Sequence, residues 1–316
     1  MRIVFMGTPE FATTILQALH EKSNHEIVAV VTATDKPAGR GQKLRASHVK
    51  EYALSHNLNI LQPERLKDEE FINDLKALNA DLFVVVAFRM LPKIVWEIPP
   101  KGTINLHGSL LPKYRGAAPI NWAVINGEKT TGVTTFFINE KIDTGDVILQ
   151  EELVIDENDT AGEVHDKMMH LGAETVLKTL DAIENYTIDR LPQSKLSQQP
   201  TQAPKIFKND CKIDFNKSAE ELHNFIRGMS PFPGSWLKVV NKDKEKLFKI
   251  YRSKSPKEVQ GSSKNPQFIC ENDALFLCWK NYEIELLEVQ IEGKKRMSAD
   301  QFLKGFNAPD WEVIVN

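Results

Sequence analysis

Arg2-Ile3-Val4-Phe5-Met6-Gly7-Thr8-Pro9-Glu10-Phe11 is the stretch whose reading decides the fold. Arg2 to Met6 is a short apolar run of strand length, and Gly7 breaks it. Thr8 offers an N-cap and Pro9 fits a first helical position, so a helix is expected to continue through Phe11, Ile15, Leu16 and Leu19. A strand feeding a helix at once is the start of a βαβ unit. The same alternation continues outward. Glu26 to Thr32 reads as a second strand, and about Asp68 to Asn79 as a helix. Leu82 to Phe88 is a third strand whose Val84-Val85-Val86 is apolar on both faces, as buried parallel strands are. Gly102 to Leu106, Thr131 to Phe137 and Val147 to Ile155 complete the strand candidates. Thr160 with Glu163 forms a capping box that opens a long helix towards Asn185. The front of the chain is therefore expected to be α/β, with a Rossmann-like, largely parallel sheet.

Beyond Tyr186 the periodicity dissolves into Pro, Gln, Ser and Lys. The expected division is a catalytic domain over 1–189, a linker over 190–208 and a second domain over 209–316. In that second domain Ser218 and Glu221 cap a helix reaching Met229. Short β-rich runs follow at Trp236–Val240, Leu247–Arg252, Gln267–Cys270, Leu275–Trp279 and Ile284–Val289. That pattern suggests a small, OB-like β-barrel.

The chain has 316 residues, long enough for two domains. Its longest apolar runs are strand length, well under the ~20 residues of a membrane span, so no membrane contact is expected. The N-terminus has no secretory h-region, and a cytoplasmic location is expected. Cys211, Cys270 and Cys278 lack CxxC spacing, which argues against a disulfide framework or structural zinc. The histidines show no metal-binding spacing, so no metal is expected. From Lys205 onward there are 19 Lys and Arg against 16 Asp and Glu, while the front carries 21 against 27. A mildly basic rear permits a polyanionic partner.

Gly7-Thr8-Pro9-Glu10 lacks the later glycines of GxGxxG, which excludes a dinucleotide site of the usual kind. The informative stretch is Asn105-Leu106-His107-Gly108-Ser109-Leu110-Leu111-Pro112-Lys113-Tyr114-Arg115-Gly116, at the carboxyl end of a predicted parallel strand. Asn105 and His107 are two apart, so on an extended backbone both project from one face. An amide and an imidazole side by side can both donate to a developing oxyanion. Asp143, in the polar turn Ile142-Asp143-Thr144-Gly145-Asp146, supplies a carboxylate. Beside His107 it would favour the imidazolium and fix its tautomer. Asn105, His107 and Asp143 are thus candidate catalytic residues for acyl transfer without a covalent intermediate. The chain has no GxSxG nucleophile elbow.

These residues resemble the folate-dependent formyltransferases, whose hallmark is an Asn, a His, an SLLP segment and a downstream Asp. The resemblance runs the full length and also covers MGTPEF, Lys36-Pro37-Ala38-Gly39-Arg40-Gly41, IDTGD and Met229-Ser230-Pro231-Phe232-Pro233-Gly234-Ser235-Trp236. It is strongest to the branch that acts on a charged tRNA. The resemblance implies the formyltransferase fold, with 10-formyltetrahydrofolate as co-substrate and initiator methionyl-tRNA as acceptor. It places folate beside Ser109, Leu110, Leu111 and Pro112 and beside Phe88, Arg89, Met90 and Leu91. Arg89 and Met90 stand where many members carry a small residue. A monomer is expected.

Thr34 to Arg45 carries Lys36, Arg40, Lys43 and Arg45. In the resembling family the corresponding insertion enters the tRNA acceptor stem, with Arg40 matching its basic residue. A loop of about four cations suits phosphate contacts that position RNA rather than read bases. Lys242, Lys244, Lys246 and Lys249 would add a shallow electrostatic track. The rival readings are a formyltransferase acting on glycinamide ribonucleotide or an amino sugar nucleotide, a formyl-folate hydrolase, and a non-catalytic RNA-binding module.

Overall fold

The computed structural model describes residues 1–38 and 43–315. In chain order the first half contains β1 (Arg2–Gly7), α1 (Glu10–Lys22), β2 (Glu26–Val31), β3 (Lys36–Ala38), β4 (Lys43–Arg45), α2 (His48–Ser55) and β5 (Ile60–Leu61). Next come α3 (Glu69–Ala77), β6 (Leu82–Val86), α4 (Lys93–Trp96), β7 (Thr103–His107), β8 (Arg115–Gly116) and α5 (Pro119–Ile125). β9 (Thr130–Phe137), β10 (Val147–Val154) and α6 (Ala161–Glu184) follow. The second half holds β11 (Gln202–Ala203), α7 (Ala219–Gly228), β12 (Ser235–Asn241), β13 (Lys244–Ser253), β14 (Lys257–Glu271) and β15 (Ala274–Ile291). It ends in β16 (Met297–Ser298), α8 (Ala299–Leu303) and β17 (Glu312–Ile314).

The chain forms two compact units. One comprises Met1–Gly116, Thr131–Leu153 and His165–Gln202, and the other Ala117–Thr130, Val154–Val164 and Ala203–Asn316. The first is built on a sheet in the order β10-β9-β7-β6-β1-β2-β5. β5, β2, β1, β6 and β7 run parallel, and β9 is antiparallel to β7. β6 is buried along its whole length, as its uninterrupted Leu-Phe-Val-Val-Val requires. Phe71, Ile72 and Leu75 of α3 pack on Val4, Phe83 and Val85 from one face of the sheet. Near β7 the covering helix is α6, where a Cβ at Gly172 would press on Leu106. With Leu106 facing α6, Asn105 and His107 project to the other side of the sheet.

Several boundaries differ from the sequence reading for local reasons. Pro9, not Thr8, is the N-cap of α1, with no side-chain cap bond. β6 stops at Val86 because Ala87 turns to φ 46°. β7 starts at Thr103 and runs through His107, so the candidate histidine is the last strand residue rather than the first loop residue. The Thr160–Glu163 box is present, with Glu163 Oε2 accepting from the Thr160 backbone at 2.9 Å and the Thr160 hydroxyl accepting in return at 3.2 Å.

The second unit is an antiparallel β domain in the order β14-β15-β13-β12-β17, with β16 added on β15. The apolar face of α7, Leu222, Phe225, Ile226 and Met229, joins Leu237, Phe248, Ile250 and Trp279 in its core. The runs Leu275–Trp279 and Ile284–Val289, read as two strands, are one strand, β15. Their polar interruption is a local irregularity with Lys280 at φ 52°. The helix α5 belongs to this unit, and Asn121 Nδ2 donates to the Gly228 carbonyl at 2.8 Å.

Candidate active site

β7 carries Asn105 and His107 to its carboxyl end, and the loop that follows returns beneath them. Three consecutive residues of that loop each fix one part of the site. The Tyr114 carbonyl accepts from His107 Nε2 at 2.8 Å. The Arg115 guanidinium donates through Nε and Nη2 to Gln193 Oε1, at 3.1 and 2.6 Å. The Gly116 N–H donates to Asp143 Oδ2 at 2.8 Å. This path needs unusual backbone. Tyr114 sits at φ 58° and Gly116 at φ 124°, a value that side chains other than hydrogen rarely tolerate. Asp143 itself is at φ 52°, a region Asp enters more readily than most residues.

A carbonyl can only accept, so the bond to Tyr114 requires the proton on Nε2 of His107. That leaves Nδ1 facing Asp143, with Nδ1 and Oδ2 3.8 Å apart. The His107 side chain is 8% exposed and that of Asp143 15%. Little solvent therefore screens the pair, which is longer than a hydrogen bond. The sequence expectation that His107 would donate to an oxyanion alongside Asn105 meets a constraint here, because each ring nitrogen already has a protein neighbour. Asn105 is different. It is half-buried, and among the described residues no hydrogen bond engages its amide. It is the free donor of the site.

The turn bearing Asp143 is held from both sides. A Cβ at Gly145 would overlap the Phe137 carbonyl oxygen, so only glycine lets the turn close on β9. Gln193 Nε2 donates to the carbonyls of Asp143 at 3.0 Å and Gly145 at 2.9 Å. Beneath the reactive loop, the fully buried Thr134 hydroxyl donates to the Ser109 carbonyl at 2.6 Å and accepts from the Leu111 N–H at 3.0 Å. Gln150 Nε2 adds a bond to the Leu111 carbonyl at 2.8 Å. Thr201 accepts from the Tyr114 N–H through its hydroxyl and from the Arg115 N–H through its carbonyl, at 2.8 and 2.9 Å. Gln193, Thr134, Gln150 and Thr201 were not singled out in the sequence. The one available signal was the Thr134-Thr135 pair set between Val133 and Phe136 in β9. Gln193 and Thr201 lie in the stretch read as a linker.

The folate candidates separate into two groups. Ser109 is fully buried with its hydroxyl on the Lys113 carbonyl at 2.6 Å. Leu111 packs against Phe136, Val147 and Leu196. Pro112 and Leu91 are buried as well. These four are closed to solvent. Leu110 and Phe88 are half-buried, and Met90 is exposed. Arg89 does not project freely, since its guanidinium donates to the Pro63 and Glu64 carbonyls and lies over the Phe88 ring. Arg89 and Met90 line an open cleft of about 750 Å³ together with Arg65, Lys67, Lys93 and Ile94.

Of the tRNA candidates, Lys36 and Arg45 lie on the paired strands β3 and β4, with exposed side chains. Lys43 lies on β4. Arg40 lies outside the described residues. Asp35, which adjoins the hairpin, is held by Lys50 at 2.8 Å and Gln62 at 3.0 Å. Those bonds hold its carboxyl below the usual range. Its charge is thus matched by Lys50. In the second unit Lys242 and Lys244 are exposed at the β12–β13 turn. Lys249 donates to the Pro233 carbonyl at 3.0 Å, and Lys246 approaches the Trp311 ring. Among the described residues no cluster of His, Cys, Asp and Glu could hold a metal, and no helix is long and apolar enough to cross a membrane.

Residues 1–180 match the formyl transferase family model, and residues 205–307 match the model of the formyl transferase C-terminal domain. The chain belongs to the formyltransferase family. This formyltransferase is 52% identical to the methionyl-tRNA formyltransferase of Flavobacterium johnsoniae over 310 residues, covering 98% of each chain. It is 47% identical to the methionyl-tRNA formyltransferase of Bacteroides fragilis, covering 97% of this chain and 95% of that one. Among solved structures it resembles a sugar 3N-formyl transferase determined with dTDP and 5-N-formyl-THF, at a TM-score of 0.63 and 22% identity. That match covers 93% of this formyltransferase and 99% of the other chain. HypX from Aquifex aeolicus in complex with tetrahydrofolic acid gives a TM-score of 0.64 at 17% identity, covering 96% of this chain and 47% of that one. At these identities the solved structures establish the shared fold.

Proposed function

We propose that this chain transfers the formyl group of 10-formyltetrahydrofolate to the amino group of initiator methionyl-tRNA. The products are N-formylmethionyl-tRNA and tetrahydrofolate, and the chain works as a monomer in the bacterial cytoplasm. The single observation that carries the chemistry is the site at the end of β7. There an unengaged amide, Asn105, stands two residues from an imidazole whose Nε2 proton is fixed by Tyr114 and whose Nδ1 faces Asp143. Nearly full-length likeness to proteins named methionyl-tRNA formyltransferase supports the acceptor.

The geometry supports the following roles. Attack of the amine nitrogen on the formyl carbon forms a C–N bond and places negative charge on the formyl oxygen. Asn105 Nδ2, with no partner among the described residues, donates to that oxygen. A preorganised donor of this kind is worth about 10²–10³ in rate. The attacking nitrogen must lose a proton and the leaving N10 must gain one before the second C–N bond breaks. His107 takes the proton through Nδ1, and Asp143 stabilises the imidazolium formed meanwhile. Returned to N10, the same proton completes the transfer without a covalent enzyme intermediate. Leu110, Phe88 and Met90 would contact folate, with Ser109, Leu111, Pro112 and Leu91 shaping the wall behind them and Arg89 fixed beside it. Lys36, Arg40, Lys43 and Arg45 would meet tRNA phosphates.

A formyl-transfer assay offering methionyl-tRNA, glycinamide ribonucleotide, an amino sugar nucleotide and water as acceptors tests this reading. Transfer to methionyl-tRNA at least a hundredfold above the others is expected. Preferred formylation of either small amine, or hydrolysis alone, overturns it.

A further inference from the structure

We propose that Gln193 is the positioning residue that sets Asp143 against His107, an inference that rests on the catalytic reading of Asp143 given above. Gln193 is only 5% exposed, although it lies in a stretch whose composition reads as a linker. Each of its polar atoms serves the same small region. Nε2 donates to the carbonyls of Asp143 and Gly145, which flank the single residue between them. Oε1 accepts two bonds from Arg115. Arg115 directly precedes Gly116, whose N–H holds Asp143 Oδ2, and directly follows Tyr114, whose carbonyl holds His107 Nε2. One buried amide therefore ties the backbone that carries the carboxylate to the backbone that orients its oxygen and its imidazole partner.

The arrangement explains how Asp143 stays at φ 52° with its carboxylate 3.8 Å from His107 Nδ1. One NH₂ holding both carbonyls fixes the Asp143–Thr144 and Gly145–Asp146 peptides on either side of Thr144. Gln193 touches no reacting atom. Its effect on the reaction passes through Asp143, and small misplacements of a catalytic group are costly, about 10²-fold per ångström. The amide orientation follows from the partners, because two carbonyls require the NH₂ end and a guanidinium requires the oxygen end.

The test is a double-mutant cycle. Gln193→Ala and Gln193→Glu are made alone and in an Asp143→Asn background, with kcat, both KM values and thermal unfolding measured on the full chain. Glutamate is close in shape and still accepts from Arg115, but it cannot donate to the two carbonyls. Each Gln193 variant alone is expected to lower kcat about 10- to 100-fold, with KM for folate and for methionyl-tRNA within about twofold. Added to Asp143→Asn, either variant should cost less than about a further twofold, because the group it positions is already lost. If Gln193→Ala fails to fold, the Glu variant decides alone. Wild-type kcat in Gln193→Glu, or losses that multiply in the double variant, overturns the inference. Wild-type kcat in Asp143→Asn would instead overturn the catalytic reading beneath it, so the two failures are told apart.

Discussion

The carboxyl end of β7 and the β3–β4 hairpin belong to the same compact unit and treat their charged groups in opposite ways. At β7, His107 and Asp143 are largely buried, and backbone groups from Tyr114 and Gly116 fix where they point. At the hairpin, Lys36 and Arg45 are exposed, and the adjoining carboxylate of Asp35 is matched by Lys50. The first arrangement suits a reaction in which charge must appear at one place within tenths of an ångström. The second suits a polyanion met through many weak, screened contacts. On the proposed reading, burial separates the chemistry at β7 from the docking at the hairpin.

The largest expected effect breaks the first half of that contrast. His107→Ala should lower formyl transfer at saturating substrates by at least about 10², with folate affinity retained in a fluorescence titration. Turnover within a few-fold of wild type would mean that the ring does not move the proton. Gly145→Ala attacks the same region through packing rather than chemistry. Its Cβ must displace the Phe137 carbonyl, so urea unfolding should show a loss of about 3 kcal/mol, at the upper end for overpacking. An unchanged midpoint would show that the turn can relax away from β9.

The hairpin should respond more gently and differently. Lys36→Ala and Arg45→Ala are each expected to raise KM for methionyl-tRNA several-fold while leaving folate KM alone. Each should also reduce the slope of log affinity against log salt by about 1. Equal loss at all salt concentrations would argue that these side chains do not meet phosphates.

The smallest effect serves as a contrast case for a buried histidine with a structural role. His223, on α7, shares a hydrogen bond through Nδ1 with the Ser253 hydroxyl at 2.9 Å. Burial, then the neighbouring Arg227 charge, pushes its pKa down. The unfolded chain therefore binds a proton more readily. Its contribution to stability is complete above the ordinary histidine value of about 6.5 and is lost as pH falls towards the lowered folded value. His223→Gln should flatten that acid-side decline in thermal melts without altering kcat at neutral pH. A variant that melts with the wild-type pH dependence would remove His223 from the account.

Local rules made much of this legible. Five apolar residues in a row announced the buried β6, and Ser/Thr-x-x-Glu pairs announced the starts of α6 and α7. Two-residue spacing put Asn105 and His107 on one face before any coordinates. What stayed hidden depends on partners distant in sequence. Nothing about Gln193 or Thr201 in a Pro-Gln-Ser stretch says that one clamps the Asp143 turn and the other holds Tyr114 and Arg115. Those segments have no periodicity because most of their bonds run to backbone, which every sequence supplies equally. Arg89 illustrates the converse. The resemblance placed it beside folate, and only the structure shows its guanidinium held by the Pro63 and Glu64 carbonyls.

The account turns on Asn105 being the free donor to the developing oxyanion, and single-turnover formyl transfer with Asn105→Ala tests that most directly. Rates are read with both substrates saturating and with folate affinity measured on the same preparation. A fall of about 10²–10³ in the transfer step at unchanged folate affinity is predicted. A transfer step within about threefold of wild type would contradict the account, since a preorganised donor to the transition state cannot be removed at so little cost.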